Sequence, residues 1–289
     1  MYIKSFLMPR DEYKFMVGYD KAKMTCYRSL YPFGIFPEKQ LSRLEFSPVT
    51  FFYGGNGSGK TTLLNIIAER LKADRGTLFN RNACFDDFVN LCDFEPDKAC
   101  HEAPEEIRMI ASDDVFDYVL DVRAANENID RRRENVFKEY MDEKYTSFQM
   151  KSMADFEKLK KNNRAKRMTI SKYTNTSVMA NLPEKSNGES AYIYFTENIK
   201  EHSLYLLDEP ENSLSVALQV KLKQFIEESA RFFGCQFMIA THSPVMLSMN
   251  GAAVYDLDVC PVRTRRWTEL ENVRTWFEFF ESHRDEFLR

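Results

Sequence analysis

The chain has 289 residues, 44% of them hydrophobic and 29% charged, with a formal net charge of −4 and a pI near 5.8. This composition supplies apolar material for one sizeable core with room for a satellite subdomain, and it argues against general nucleic-acid affinity. No apolar run approaches the roughly 18 residues that a membrane span needs. The N-terminus alternates like a strand and does not resemble a signal peptide, so we expect a soluble, cytoplasmic protein without membrane insertion.

A phosphate-binding loop follows the first strongly predicted strand. Residues 49–53 are a hydrophobic run typical of a buried strand, and residues 54–61 match the pattern G-x-x-x-x-G-K-T. The side chain of Lys60 would neutralise phosphate oxygens, and the Thr61 hydroxyl would coordinate Mg²⁺. Residues 62–71 continue with helical spacing, which predicts a helix N-terminus facing the same anion. The sequence therefore predicts a nucleoside triphosphate site built from Gly54, Asn56, Gly57, Ser58, Gly59, Lys60, Thr61 and Thr62.

The six cysteines predict free thiols in a reducing compartment. Four residues that could suggest a metal site are Cys84, Cys92, Cys100 and His101. Because they lack the close C-x-x-C pairs of zinc sites, we interpret them as ordinary side chains.

The least motif-like interval is the polar stretch 122–185. Within it, a segment without acids carries seven cations: Lys158, Lys160, Lys161, Arg164, Lys166, Arg167 and Lys172. This segment would suit a nucleic-acid backbone, or it is a solvated helix surface or connector. The lack of interleaved aromatic residues favours the second interpretation. Residues 174–187 contain many Ser, Thr, Asn and Pro residues, which predicts a mobile segment leading into the next motif.

Two further strands end in chemically active side chains. The first strand, 203–207, is followed by Asp208 and Glu209. Adjacent side chains at a strand end point in different directions, so the two carboxylates can have different roles. We expect Asp208 to hold Mg²⁺ and Glu209 to polarise the attacking water. After a helix-like stretch at 215–233, a second apolar strand ends at His242. In a parallel sheet these strands would be neighbours, which lets His242 reach the γ-phosphate. Lys60, Glu209 and His242 are therefore the predicted catalytic residues.

The segment Ser186-Asn187-Gly188-Glu189-Ser190 opens a helix-like run at 190–200. Read in order with the other motifs, it resembles the signature of ABC-type ATPases. The chain is most similar to small soluble ABC-type (predicted AAA-family) ATPases related to SMC, RecF and OLD-type heads. That resemblance implies a homodimer in the ATP-bound state, in which Ser186 and Gly188 contact the nucleotide held by the other subunit. It also implies that the interval before the signature is a compact helical insertion.

One departure from the transporter pattern concerns a glutamine. Transporter-type relatives carry Gln after the strand that here corresponds to 107–110, and this sequence has none there. Asp113 or Asp114 could ligate Mg²⁺ through water instead, yet two acids are equally a good helix start. The sequence favours neither of these two interpretations.

The resemblance implies an α/β fold: a P-loop NTPase of the ABC-ATPase type, with a mostly parallel core sheet flanked by helices, an N-terminal antiparallel β portion and a helical insertion. We expect one domain, comprising 1–121, the insertion 122–185, 186–260 and a C-terminal helix in 261–289. The aromatic residues of that helix, Trp276, Phe277, Phe279, Phe280 and Phe287, are expected to be core or docking residues.

The expected function is ATP hydrolysis by a dimer around Mg-ATP, acting with DNA or a separately encoded effector in a nucleic-acid or defence system. Two alternatives remain open. One is the ATP-binding subunit of a membrane transporter, and the other is a nucleotide-gated interaction protein with little turnover.

Overall fold

A computed structural model describes residues 1–9, 31–33, 35–100, 102–147, 152–183 and 185–288. His101 of the rejected metal group lies outside these residues. The chain divides into two compact units. The first consists of Met1–Phe116 with Asn187–Arg289, and the second is Asp117–Ser186.

A seven-stranded sheet forms the centre of the first unit. Its strands are β3 (Val49–Tyr53), β4 (Asp74–Arg75), β6 (Ile107–Ile110), β7 (Leu204–Asp208), β8 (Gln236–Ala240), β9 (Ala253–Asp256) and β10 (Arg263–Thr264). Their order is β10-β9-β3-β8-β7-β6-β4, and every pairing is parallel except β10 with β9. The three central strands β3, β8 and β7 are buried throughout, because helices cover both faces of a parallel sheet.

A smaller antiparallel sheet has the order β2-β1-β5, with β1 at Ile3–Leu7, β2 at Arg43–Glu45 and β5 at Asp93–Pro96. The buried amide of Gln236 connects β1 to the central sheet. Its Oε1 atom accepts hydrogen bonds from the N–H groups of Tyr2 and Ile3 at 2.8 and 2.9 Å, and its Nε2 atom donates to Ile3 O. The expected mostly parallel α/β fold with an N-terminal antiparallel portion is confirmed.

The helices of the first unit are α1 (Lys60–Leu71), α2 (Ala83–Leu91), the start of α3 (Ser112–Tyr145), α6 (Asn187–Asn198), α7 (Val216–Phe232), α8 (Pro244–Leu247), α9 (Glu271–Ser282) and α10 (Arg284–Phe287). Successive strand residues point to opposite faces of the sheet. Phe52, Leu206 and Met238 therefore belong to the core on one face, and Phe51, Leu207 and Ile239 to the core on the other.

The second unit is helical, as expected. It contains the rest of the 34-residue helix α3, a 3₁₀ turn at Met153–Asp155, α4 (Phe156–Arg167) and α5 (Ile170–Ser177). Its small core consists of Tyr140, Ala165 and Tyr173. The seven cations predicted as a patch are all exposed on or near α4. Residues 174–177, expected to be mobile, are instead the last turn of α5, because the core aromatic Tyr173 holds that helix in place.

The C-terminal region differs from the expected single helix. It contains β10, a 3₁₀ turn at Trp267–Glu269 and two helices that are separated at His283. The aromatic residues on α9 and α10 are exposed, with Phe277 at 63%, so their prediction as core residues was wrong. The apolar face of α9 begins at Val273, which is buried in the core, but the aromatic residues that continue this face are exposed to solvent. In the described part of the chain, no helix is both long and apolar enough to cross a membrane.

Candidate functional site

The phosphate-binding loop connects β3 to α1. Gly57 and Gly59 have φ angles of 80° and 97°, a backbone conformation that favours glycine. Lys60 is only 5% exposed, and its Nζ atom donates to the carbonyl oxygens of Gly54 and Gly55 at 2.8 and 3.2 Å. The Ser58 Oγ atom is buried inside the loop without a hydrogen-bond partner. A buried ammonium and an unpaired hydroxyl in one loop suit an oxygen-rich anion.

Residues distant in sequence hold this loop from two sides. Lys39 Nζ donates to Ser58 O at 2.8 Å and also to Leu257 O. On the other side, the Asp258 carboxylate accepts the N–H of Gly55 at 2.8 Å. The loop borders a cavity of about 390 Å³ that Glu209 also lines. The nucleotide loop is therefore supported from outside, which sequence reasoning missed because neither partner belongs to the motif.

Thr61 and Asp208 meet at the start of α1. The Thr61 hydroxyl donates to Asp208 Oδ1 at 3.1 Å, and both line a second cavity of about 590 Å³. Burial raises the pKa of Asp208 from 3.8 to about 6; the hydrogen bond from Thr61 opposes this shift and nearby Glu209 adds to it. Among the described residues, no group of three or more His, Cys, Asp or Glu side chains could hold a metal. A hydroxyl and one carboxylate instead fit Mg²⁺, which takes few protein ligands beside phosphate oxygens and water.

Glu209 lies between the loop and the following strand end. Its Oε1 atom is 3.6 Å from Lys60 Nζ and 3.6 Å from His242 Nδ1. Glu209 has a φ of 47°, and its N–H donates to Ala240 O at 2.9 Å. Parallel pairing of β7 with β8 places Asp208 opposite Ala240, which brings the two strand ends together. The structure thus gathers Lys60, Thr61, Asp208, Glu209 and His242 at one edge of the sheet.

The signature residues lie at the start of α6. This helix begins at Asn187, earlier than the expected 190, so Gly188 is in its first turn. A Cβ atom on Gly188 would stand 2.9 Å from Ser213 O and 3.2 Å from a methyl group of Leu218. Close packing requires a glycine at this position, independently of any contact that Gly188 makes with a nucleotide. Ser186, the other signature residue, belongs to the second unit.

The two acids that could replace the missing glutamine differ in their surroundings. Asp114 is buried, and its Oδ2 atom accepts the N–H of Ala111 at 2.7 Å, as an acid that stabilises a helix start does. Asp113 lines the same cavity as Thr61 and Asp208. The geometry supports the helix-start role for Asp114 and leaves Asp113 beside the candidate metal position.

Sequence reasoning missed three side chains near the site. Tyr31 borders both cavities and donates from its hydroxyl to Thr62 Oγ1 at 2.9 Å. Arg75 lines the cavity of Asp208 and donates to Asn65 Oδ1 at 3.0 Å. Glu211 is buried beside His242. No local pattern assigns any of them a role in the site, since each meets the site through tertiary contacts.

A nucleotide loop before a helix, with an acidic strand end beside it in a parallel sheet, defines a P-loop NTPase. The family is shown by the sequence itself. Residues 42–212, more than half of the chain, match the ABC transporter family, so the chain belongs to that family. ATP binding is the activity that this membership supports, and the predicted relation to ABC-type ATPases is confirmed.

Several solved structures resemble this chain weakly, at low sequence identity and low TM-score. An inward-facing metal-chelate type ABC transporter is 18% identical over 82% of this chain and 81% of its own, with a TM-score of 0.35. The SMC head domain from Thermotoga maritima is 11% identical over 92% and 99%, with a TM-score of 0.37. An SMC head bound to the C-winged helix domain of ScpA is 16% identical over 81% and 94%, with a TM-score of 0.36. A search of curated proteins returned no match.

Proposed function

We propose that the protein is a cytoplasmic ATPase that binds Mg-ATP, dimerises around it and hydrolyses it. The observation that carries this proposal is the meeting of Lys60, Thr61, Asp208, Glu209 and His242 at one sheet edge. These groups lie at the carboxyl ends of three separate strands, β3, β7 and β8, or on the segments that follow them. Such a convergence matches the needs of phosphoryl transfer, where catalysis is mainly positioning and charge stabilisation.

Each side chain has a defined task in the proposed reaction. Lys60 leaves the carbonyl groups of its own loop and pairs with phosphate oxygens. Thr61 and Asp208 would hold Mg²⁺, and the ion would supply positive charge beside the phosphate oxygens. Glu209 accepts a hydrogen bond from the attacking water and orients it. His242 contacts the γ-phosphate from the neighbouring strand.

Dimerisation would complete the site. By the resemblance to ABC-type ATPases, Ser186 and Gly188 of one subunit would approach the nucleotide of the other. One observation supports a second surface closing over the loop, because Asn56 and Gly57 are exposed.

The partner of this cycle is proposed to be DNA or a separately encoded effector. The support is the exposed basic helix α4, although the whole chain carries a net charge of −4. DNA should stimulate ATP hydrolysis, and its binding should weaken steeply with salt. If DNA does not change the rate of ATP hydrolysis and a membrane protein co-purifies with the chain, the transporter alternative is favoured. Absence of turnover with intact nucleotide binding would favour a nucleotide-gated interaction protein.

Two substitutions test the proposed chemistry. Lys60→Ala should abolish nucleotide binding, because it removes the buried cation that pairs with the phosphates. Glu209→Gln should bind ATP, hydrolyse it at least a hundredfold more slowly and accumulate as a dimer in sedimentation experiments with Mg-ATP. Glu139→Gln, an exposed acid on α3, is the matched control and should behave like the parent. Parental turnover by Glu209→Gln would refute the assignment of the base.

A further inference from the structure

A buried acid that the proposed chemistry does not use lies two residues beyond Glu209. Glu211 is 6% exposed, and it follows the end of β7. Its Oε1 atom accepts three hydrogen bonds from consecutive residues after β8: from Thr241 Oγ1 at 2.5 Å, from His242 N at 3.0 Å and from Ser243 N at 3.2 Å. One carboxylate oxygen therefore organises the chain segment that carries the histidine.

This arrangement replaces sheet pairing where the strand ends. The N–H of Thr241 still donates to Phe52 O of β3, but the next two N–H groups have left the sheet and turn to Glu211. Ser243 is fixed further, because its hydroxyl donates to Gln219 Oε1 on α7 at 2.7 Å. The backbone on both sides of His242 is thus held, although the imidazole itself is 48% exposed.

The imidazole stands between two carboxylates. His242 Nδ1 is 3.5 Å from Glu211 Oε1 and 3.6 Å from Glu209 Oε1. Two carboxylates this close to Nδ1 favour the tautomer that carries its proton on that ring nitrogen. Nε2 is then the ring nitrogen that remains for the substrate.

The second oxygen of Glu211 differs from the first in its surroundings. Oε2 is buried and has no hydrogen-bond partner. A glutamine carbonyl could accept the same three hydrogen bonds, so hydrogen bonding alone does not require a carboxylate here. Burying a carboxylate oxygen without a hydrogen bond costs folding free energy. Its presence here therefore points to a use for the negative charge of Glu211.

We propose that Glu211 is a positioning residue of the hydrolysis site. It holds Thr241–Ser243 so that His242 faces Glu209, and its charge keeps the proton on His242 Nδ1. The proposal rests on the proposed function, because His242 acts there on the γ-phosphate. Glu211 touches neither substrate nor metal in this scheme, and it acts through the histidine.

Steady-state kinetics provide the first test. Glu211→Gln should lower kcat for ATP at least tenfold, while KM and the dissociation constant of a fluorescent ATP analogue should stay within threefold of the parent. The control Glu139→Gln should leave all three unchanged. A kcat within twofold of the parent, or a KM that rises in proportion to the loss of kcat, would overturn the positioning role.

The second test needs neither nucleotide nor turnover. In ¹⁵N spectra of the folded protein at one fixed pH, with His242→Gln used for assignment, the parent should show His242 mainly protonated at Nδ1. Glu211→Gln should shift the population toward protonation at Nε2. If Glu211→Gln does not fold, Thr241→Val removes a single donor from the same oxygen, and its changed geometry should produce a smaller shift in the same direction.

The two readouts separate the proposals. If the parent does not hydrolyse ATP but its His242 tautomer depends on Glu211, the ATPase proposal is wrong and the positioning role stands. An active parent whose tautomer is the same in both Glu211→Gln and Thr241→Val would overturn the positioning role and leave the ATPase proposal in place.

Discussion

Asp208→Asn should make the nucleotide-free protein more stable at neutral and alkaline pH. The reason is that burial raises the pKa of Asp208 to about 6 in the folded protein, against 3.8 for an ordinary aspartate. The unfolded chain releases this proton at lower pH than the folded chain does. Folding stability therefore falls as the pH rises from about 4 to about 6, and the loss is complete above pH 6.

The size of the effect follows from the difference between the two pKa values. Because a tenfold change in proton affinity corresponds to about 1.4 kcal/mol, ionising Asp208 costs the fold about 3 kcal/mol at pH 8. At pH 4.5 the same calculation gives about 1 kcal/mol. Asparagine escapes this cost and can still accept the hydrogen bond from Thr61.

Urea unfolding of parent and variant without Mg²⁺ or nucleotide measures the difference. Trp267 and Trp276 both lie in the first unit, so their fluorescence reports on the unit that contains Asp208. Adding Mg-ATP should narrow this difference, since it stabilises the parent by about 2.7 kcal/mol at a hundred times its dissociation constant and the variant much less. A variant less stable than the parent at pH 8, or a stability difference that does not change with pH, would show that ionising the buried Asp208 carboxyl does not destabilise the fold.

Two further predictions concern packing and thiol reactivity. Gly188→Ala should lower the free energy of unfolding by about 1 to 3 kcal/mol, because the new Cβ atom would stand 2.9 Å from Ser213 O; unchanged stability in urea melts would show that the helix and loop are not in close contact. Burial raises the pKa of the Cys92 thiol to about 12, so mass spectrometry after iodoacetamide treatment of the folded protein should find Cys92 unmodified and exposed Cys260 alkylated. Equal labelling of both thiols would contradict the buried position of Cys92.

The parts of the site that the sequence predicts are those set by local chemistry. The glycine spacing before Lys60 specifies a loop conformation directly, and the apolar runs that end at Asp208 and His242 specify buried parallel strands. Since the carboxyl ends of neighbouring parallel strands meet at one edge, the approach of Glu209 to His242 was also predictable. These inferences need only periodicity, turn chemistry and the rules of sheet topology.

The remaining features depend on which distant segments meet. Lys39 and Asp258 support the nucleotide loop from opposite sides, and neither carries a local signal. The sequence around Glu211 does not reveal what this acid holds, because its donors lie 30 or more residues ahead. The aromatic spacing around Phe277 predicted an amphipathic helix correctly, but periodicity says nothing about what covers its apolar face.

A crystal structure with Mg²⁺ and a non-hydrolysable ATP analogue would show whether these side chains bind the triphosphate. We expect phosphate oxygens within hydrogen-bond distance of Lys60 Nζ, and Mg²⁺ about 2.1 Å from Thr61 Oγ1, with Asp208 bound to it directly or through a water molecule. A triphosphate bound elsewhere, with Lys60 still donating to the carbonyl groups of Gly54 and Gly55, would contradict this expectation.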